Sequence, residues 1–161
     1  MSDSHGDATA TARAVSLLTR RGAKKLFHCG DICGTRVLDQ LAGCDCTFVW
    51  GNCDDPSPVL RRYVADLGLP WPEPGKVVKL AGKRIGLFHG HESAFRAASA
   101  SGHYDCIFYG HTHQRDDRTH AGCRLVNPGA LHRARPHTVA LLNLVSDELT
   151  FLRLDTGEPI P

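Results

Sequence analysis

Histidine both ligates metals and moves protons near neutral pH, and this chain of 161 residues carries 10 of them. Five short clusters set histidine or glycine beside acid and amide side chains. They are Asp3-Ser4-His5, Gly30-Asp31, Gly51-Asn52-Cys53-Asp54, His89-Gly90-His91 and Gly110-His111-Thr112-His113. Together they offer seven donors: Asp3, His5, Asp31, Asn52, His89, His111 and His113. A mixture of carboxylate, imidazole and carboxamide suits manganese, iron, nickel or zinc rather than an iron–sulfur cluster. Seven donors exceed what one tetrahedral ion takes, and they suit two divalent ions sharing one carboxylate. Two ions about 3.5–4 Å apart can clamp a phosphoryl group and hold a hydroxide that attacks phosphorus in line. Asp3 with His5, and His111 with His113, are i, i+2 pairs. Extended backbone would send both members of each pair to one face, and so into one site.

The elements that must position these groups alternate. Residues 9–21 carry an apolar stripe at Ala10, Ala14, Leu17 and Leu18 and stop at Gly22, which predicts a helix. Helices are also predicted over 35–41, 59–67 and 93–100, the last with Ser93 as N-cap. Short β-rich runs at 25–29, 46–50, 84–88 and 106–109 each lead into a cluster at Gly30-Asp31, Gly51-Asn52, His89-Gly90 or Gly110-His111. Ligand sites of α/β folds collect at such carboxyl ends of strands. Residues 77–80 pair with 84–88 as a hairpin around Ala81-Gly82, and strands at 123–126, 138–144 and 149–154 close the chain. Early alternation followed by clustered strands predicts two packed sheets with outer helices, in one domain over residues 1–161.

Composition narrows the rest. Net charge is +2 and the densest basic run is short, so nucleic acid is expected only as a substrate. No apolar stretch approaches the roughly 20 residues of a membrane span. The polar N-terminus reads as no signal peptide. Seven cysteines without a Cys-x-x-Cys pair read as reduced thiols in a cytoplasmic protein, not as a zinc finger.

The ordered set Asp3-x-His5, Gly30-Asp31, Gly51-Asn52-x-Asp54, His89-Gly90-His91 and Gly110-His111-x-His113 resembles the calcineurin-like metallophosphoesterase superfamily. The Gly51-Asn52-Cys53-Asp54 form and Asn127-Pro128-Gly129 resemble its small prokaryotic phosphodiesterase branch. The resemblance spans residues 2 to about 130. It implies an α/β fold of two mixed β-sheets packed as a sandwich and flanked by helices. It implies that Asp3, His5 and His113 hold a first ion, that Asn52, His89 and His111 hold a second, and that Asp31 bridges them. Manganese is the expected metal, with nickel, iron or zinc as alternatives, and a small phosphodiester is the expected substrate. Asp31 and Asn52 would act in catalysis. Cys53 stands where larger relatives carry an acid histidine, which leaves His91 as the nearest acid for the leaving group. The family places an apolar strand before the first motif. Only Met1 and Ser2 precede Asp3, so that strand is expected to be missing, with Asp3 and His5 on a loose terminus that weakens the first ion site. A non-catalytic scaffold of this fold, like the retromer subunit, is the alternative, and such scaffolds lose ligands whereas all seven stand here.

The remaining groups have plainer readings. Asp54 is a cap or a hydrogen-bond acceptor, and His28 is structural. His103, His120, His132 and His137 lack partners at ligand spacing and read as surface residues. Arg133 and Arg135 form a solvated loop that could bind phosphate if it reached the site mouth. Trp71 among Pro70, Pro72 and Pro74 reads as a lid or as an interface of a homo-oligomer.

Overall fold

The computed structural model describes residues 1–73 and 75–161; Pro74, the third proline of the Pro-rich loop, lies outside the described residues. In chain order the elements are α1 (Ala8–Arg20), β1 (Leu26–His28), α2 (Thr35–Leu41), β2 (Cys46–Phe48), α3 (Pro58–Asp66), β3 (Val78–Leu80) and β4 (Lys83–Leu87). They continue with α4 (Ser93–Ser99), β5 (Cys106–Phe108), β6 (Arg115–His120), β7 (Cys123–Pro128), β8 (Thr138–Leu142), β9 (Leu149–Arg153) and β10 (Pro159–Ile160). A mixed sheet runs in the order β3-β4-β5-β7-β6. The facing layer is divided into a parallel pair, β1-β2, and an antiparallel trio, β10-β9-β8.

Strand periodicity sorts the side chains into layers. Leu26, Cys46 and Phe48 face the core built with Ala14, Leu17 and Leu18 of α1 and Val37, Leu38 and Leu41 of α2. Between the sheets, Cys29, Val49 and Leu87 pack together, and Phe27 stacks on Phe108 at 5.2 Å. On the far face, Phe95 of α4 stacks on Tyr109 at 4.8 Å over Ile107 and Leu125. The result is helix, sheet, sheet, helix, which is the predicted sandwich.

Two strands escape the hydrophobic pattern. β6 reads Arg-Asp-Asp-Arg-Thr-His and is almost wholly exposed, because it is an edge strand held by its ladder to β7. β10 is only two residues. Ser93 is not the N-cap of α4. Glu92 occupies that position without a capping bond, because its carboxylate turns back to accept from His89 N–H and Gly90 N–H. Trp71 packs edge-on against Trp50 at 5.5 Å with the Arg61 guanidinium 4.6 Å above it, at the margin of the helix-side core.

The N-terminus is not loose. Residues 1–6 run beside β1 and the loop after it. Met1 N donates to Phe27 O, Cys29 N to Met1 O, Asp3 N to Gly30 O, His5 N to Asp31 O and Gly6 N to Ile32 O. On the other side Leu131 N and His132 N donate to Ser2 O and Asp3 O. Ser2, Asp3 and Ser4 are fully buried as a result. These residues form no strand, yet backbone bonds to two segments do the anchoring that the missing strand would do. Next to Met1, a cavity of about 420 Å³ separates β1 from β8, lined by Leu18, Leu26, Phe27, Phe108, Val126 and Leu141.

Candidate metal centre

Four loops that follow β1, β2, β4 and β5 converge with the N-terminal segment. The expected reason for the i, i+2 pairs fails: Asp3 (φ 52°), His5 (φ 43°), His111 (φ 71°) and His113 (φ 58°) are left-handed, not extended. Asp31 (φ 53°) shares that conformation. Non-glycine residues held there cost roughly 1–3 kcal/mol each and persist where the surroundings over-determine them. Here those surroundings are the backbone bonds of residues 1–6 and two acidic braces. Asp54 accepts from the N–H groups of Ile32 (3.1 Å), Cys33 (2.7 Å) and Gly51 (2.7 Å), tying the loop after β1 to the loop after β2. Glu92 does the same for the loop after β4. Asp54 is therefore an acceptor of backbone bonds, and Ser57 caps α3 instead.

Two lobes result. In the first, His5 Nε2 lies 3.2 Å from His113 Nε2 and 3.5 Å from Asp31 Oδ2, and His113 Nε2 lies 3.4 Å from Asp3 Oδ1. These four side chains present one donor atom each within 4.8 Å of one another. In the second lobe, His89 Nε2 lies 3.0 Å from Asn52 Oδ1 and 3.4 Å from Asp31 Oδ1. The His111 ring stands 5.1 Å from the His89 ring. Asp31 thus turns one oxygen to each lobe. Ligands at 2.0–2.2 Å from a shared ion stand roughly 3–3.6 Å apart, so these spacings and donor types fit divalent cations. The first lobe, expected to be the weaker, is the more enclosed: Asp3 is 0% exposed and His5 and His113 are half-buried, whereas in the second only His89 is buried and Asn52 and His111 are exposed.

The protonation of Asp31 and His5 agrees with this donor set, whereas at His89 burial is outweighed by Asp31 and the Cys29 carbonyl, which raise its pKa. Burial tends to raise the Asp31 carboxyl, but hydrogen bonding to His89 and to Cys53 N–H holds it well below the ordinary carboxylate range. Burial lowers His5, keeping its imidazole neutral. His89 Nδ1 donates to Cys29 O at 2.7 Å, which fixes the tautomer and leaves Nε2 facing the centre. His28, fully buried, is pushed down to about 3 by desolvation, and it bonds to Ser4 Oγ and Gly30 N–H beneath the site. Unfolded, that ring takes a proton below its ordinary 6.5, whereas the folded ring refuses one until about 3. Its contribution to stability is therefore complete above 6.5 and falls by about 1.4 kcal/mol per pH unit on acidification through that window. In chelator, the unfolding free energy of the wild type should fall with acid more steeply than that of His28→Gln. Parallel curves from urea melts would contradict a neutral buried His28.

Glycine is required where the loops meet. A Cβ on Gly51 would lie 2.1 Å from Asp31 Oδ1, and one on Gly110 would lie 1.9 Å from Ser2 Oγ. Gly51→Ala must therefore displace Asp31, and a displacement of about 1 Å costs roughly 100-fold in rate. Steady-state kcat/KM on a phosphodiester, with a melting curve as control for folding, checks this.

Other predicted residues sit at the rim. His91 is exposed, with its ring 5.3 Å from His89 and 6.0 Å from His111, so it borders the second lobe. His132 is not a plain surface residue: its ring is 5.9 Å from His5. Arg133 and Arg135 do reach the site, lining with His111, His113, Gln114 and Arg115 an open cleft of about 920 Å³. Asp54 was legible in the sequence as an acceptor, though not the N–H groups it accepts from, whereas the brace Glu92 and the exposed Cys33 were invisible as site residues, since only the loop geometry gives them partners.

The calcineurin-like phosphoesterase superfamily domain matches residues 1–147. The phosphodiesterase MJ0936 of Methanocaldococcus jannaschii is 26% identical over 137 residues, covering 80% of each chain. The phosphodiesterase YfcE of Escherichia coli K12 is 29% identical over 150 residues, covering 81% of this chain and 76% of that one. An archaeal phosphodiesterase structure superposes with a TM-score of 0.84 at 23% identity, over 95% of this chain and 96% of the other. Zinc-complexed Vps29 of Entamoeba histolytica gives 0.66 at 21% identity, over 91% and 84%. These last two are likenesses of fold. With five motifs in order, their side chains brought together around Asp31 and the family's own domain matching most of its length, the chain belongs to the calcineurin-like phosphoesterase superfamily.

Proposed function

We propose that the protein is a metal-dependent phosphodiesterase acting on a small phosphodiester. The observation that carries this is Asp31, whose two oxygens face two separate sets of donors at 3.4–3.5 Å. Divalent ions held there, manganese foremost, would supply Lewis acidity toward phosphoryl oxygens and an activated water for in-line displacement. Asp3, His5 and His113 would hold one ion, Asn52, His89 and His111 the other, with Asp31 shared. The chain's own contribution is position. Asp54 and Glu92 fix the loops, so the donors need no reorganisation when charge develops on the equatorial oxygens. The Asn52 amide, at the exposed side, can donate to one of those oxygens. Arg133 and Arg135 add positive charge along the cleft, where the rest of a phosphodiester would extend.

Acid assistance is the weak point of the site. Cys53 is exposed, yet slight desolvation and the neighbouring Asp31 carboxylate raise its thiol further from neutrality, so it is a poor donor to a leaving alkoxide. His91, whose ring borders the second lobe, would be the acid that protonates that alkoxide. This favours diesters with good leaving groups over monoesters. The test is hydrolysis of bis(p-nitrophenyl) phosphate by metal-stripped protein titrated with manganese. Turnover that rises with manganese and vanishes with chelator supports the reading; a folded, manganese-loaded protein without turnover sinks it.

A further inference from the structure

Beside the first lobe stands a second set of donors of different chemical character. Cys33 and Cys53 are exposed, and their sulfurs lie with His5 within 4.8 Å of one another. Cys33 Sγ is 3.7 Å from His5 Nδ1. An ion bound tetrahedrally by sulfur at about 2.3 Å and imidazole nitrogen at about 2.0 Å separates those two atoms by roughly 3.5 Å. The spacing is therefore close to what a shared ion requires. Both backbones are pinned. Cys33 N–H rests on Asp54 Oδ1 at 2.7 Å, and Cys53 N–H rests on Asp31 Oδ1 at 2.9 Å. Cys33 is itself left-handed (φ 55°), a conformation these bonds hold.

We propose that Cys33, Cys53 and His5 Nδ1 form a regulatory site for a thiophilic divalent cation of the zinc and cadmium class. Two thiolates and an imidazole select soft ions over manganese, which prefers oxygen. On binding, each thiol gives its proton to solvent as its sulfur–metal bond forms. The two faces of one ring set the regulation. His5 Nε2 faces Asp31 and His113, while Nδ1 faces Cys33. A ring that donates its Nε2 lone pair to the first lobe carries its proton on Nδ1, directed at the Cys33 sulfur. A cation between the sulfurs needs the Nδ1 lone pair instead. Occupancy of the thiol site therefore opposes occupancy of the first lobe, and linkage makes the opposition mutual.

The cation site stands on its own geometry; only its regulatory consequence rests on the proposed metal-dependent activity. Metal-free full-length protein is titrated with buffered free cadmium, and the ultraviolet thiolate-to-cadmium charge-transfer band is followed. The band should saturate with one ion per chain, disappear in Cys33→Ser and in Cys53→Ser, and persist in Cys44→Ser. Saturating manganese should raise the cadmium needed for half-saturation by about tenfold. A band unchanged in either the Cys33 or the Cys53 variant overturns the site. A midpoint that manganese leaves in place overturns the coupling. The band is read without turnover, so an inactive protein that shows it separates this proposal from the catalytic one.

Discussion

Asp31→Asn will lower turnover of bis(p-nitrophenyl) phosphate at saturating manganese by about 1,000-fold, equivalent to about 4 kcal/mol of transition-state stabilisation. The size follows from the two-sided role of this carboxylate. Oδ1 lies 3.4 Å from His89 Nε2 and accepts from Cys53 N–H at 2.9 Å, while Oδ2 lies 3.5 Å from His5 Nε2. An amide keeps one oxygen, enough to hold Cys53 N–H and so preserve the loop. It then turns an NH₂ group toward one lobe, where a cation would be repelled. The variant should remain folded, with a melting temperature in chelator close to that of the wild type, and should retain about one ion per chain fewer by elemental analysis. Equal activity in the variant would mean that Asp31 does not bridge, and the two-lobe reading would fail with it.

The second large effect is on stability. Asp3 and Asp31 are carboxylates buried among imidazoles, and bound cations would compensate their charge. A ligand present at about 100 times its Kd stabilises the native state by about 2.7 kcal/mol. For a chain of this length each kcal/mol moves Tm by about 2–4 °C. Manganese should therefore raise Tm by roughly 5–10 °C over protein in chelator, read by calorimetry or dye fluorescence. The shift should shrink in Asp31→Asn and be absent with sodium at the same ionic strength. A Tm indifferent to manganese would show that the lobes do not hold it.

Much of the fold was legible because its core helices and strands are amphipathic on a local scale. The stripe in α1, the Gly-terminated strands β1, β2 and β5 and the hairpin at Ala81-Gly82 were all readable from neighbours in sequence. β6 was not, because an edge strand of charged residues needs only a partner's backbone: the Ala121-Gly122 turn to β7 repeats the Ala81-Gly82 pair, but the run before it has no apolar alternation to read. Ser93 misled for a related reason: Glu92 is drawn off the helix end by two backbone N–H groups of the loop before it.

By itself, the sequence determined the chemistry: which donors exist, their order along the chain, and their position after glycine-punctuated strand ends. These properties reside in residue types and short spacings, which need no fold to be read. The tertiary structure alone decided how closely those donors approach one another. It pinned Asp3 and His5 through bonds to residues 27–32 and 131–132, and so made the first lobe the more enclosed one. It brought Asp54 beneath three backbone N–H groups of two loops and set Cys33 against the back of His5. Each of these is a contact between segments tens of residues apart. Such contacts form only when burial of the two sheets forces the loops together, and no local pattern encodes the distance between them.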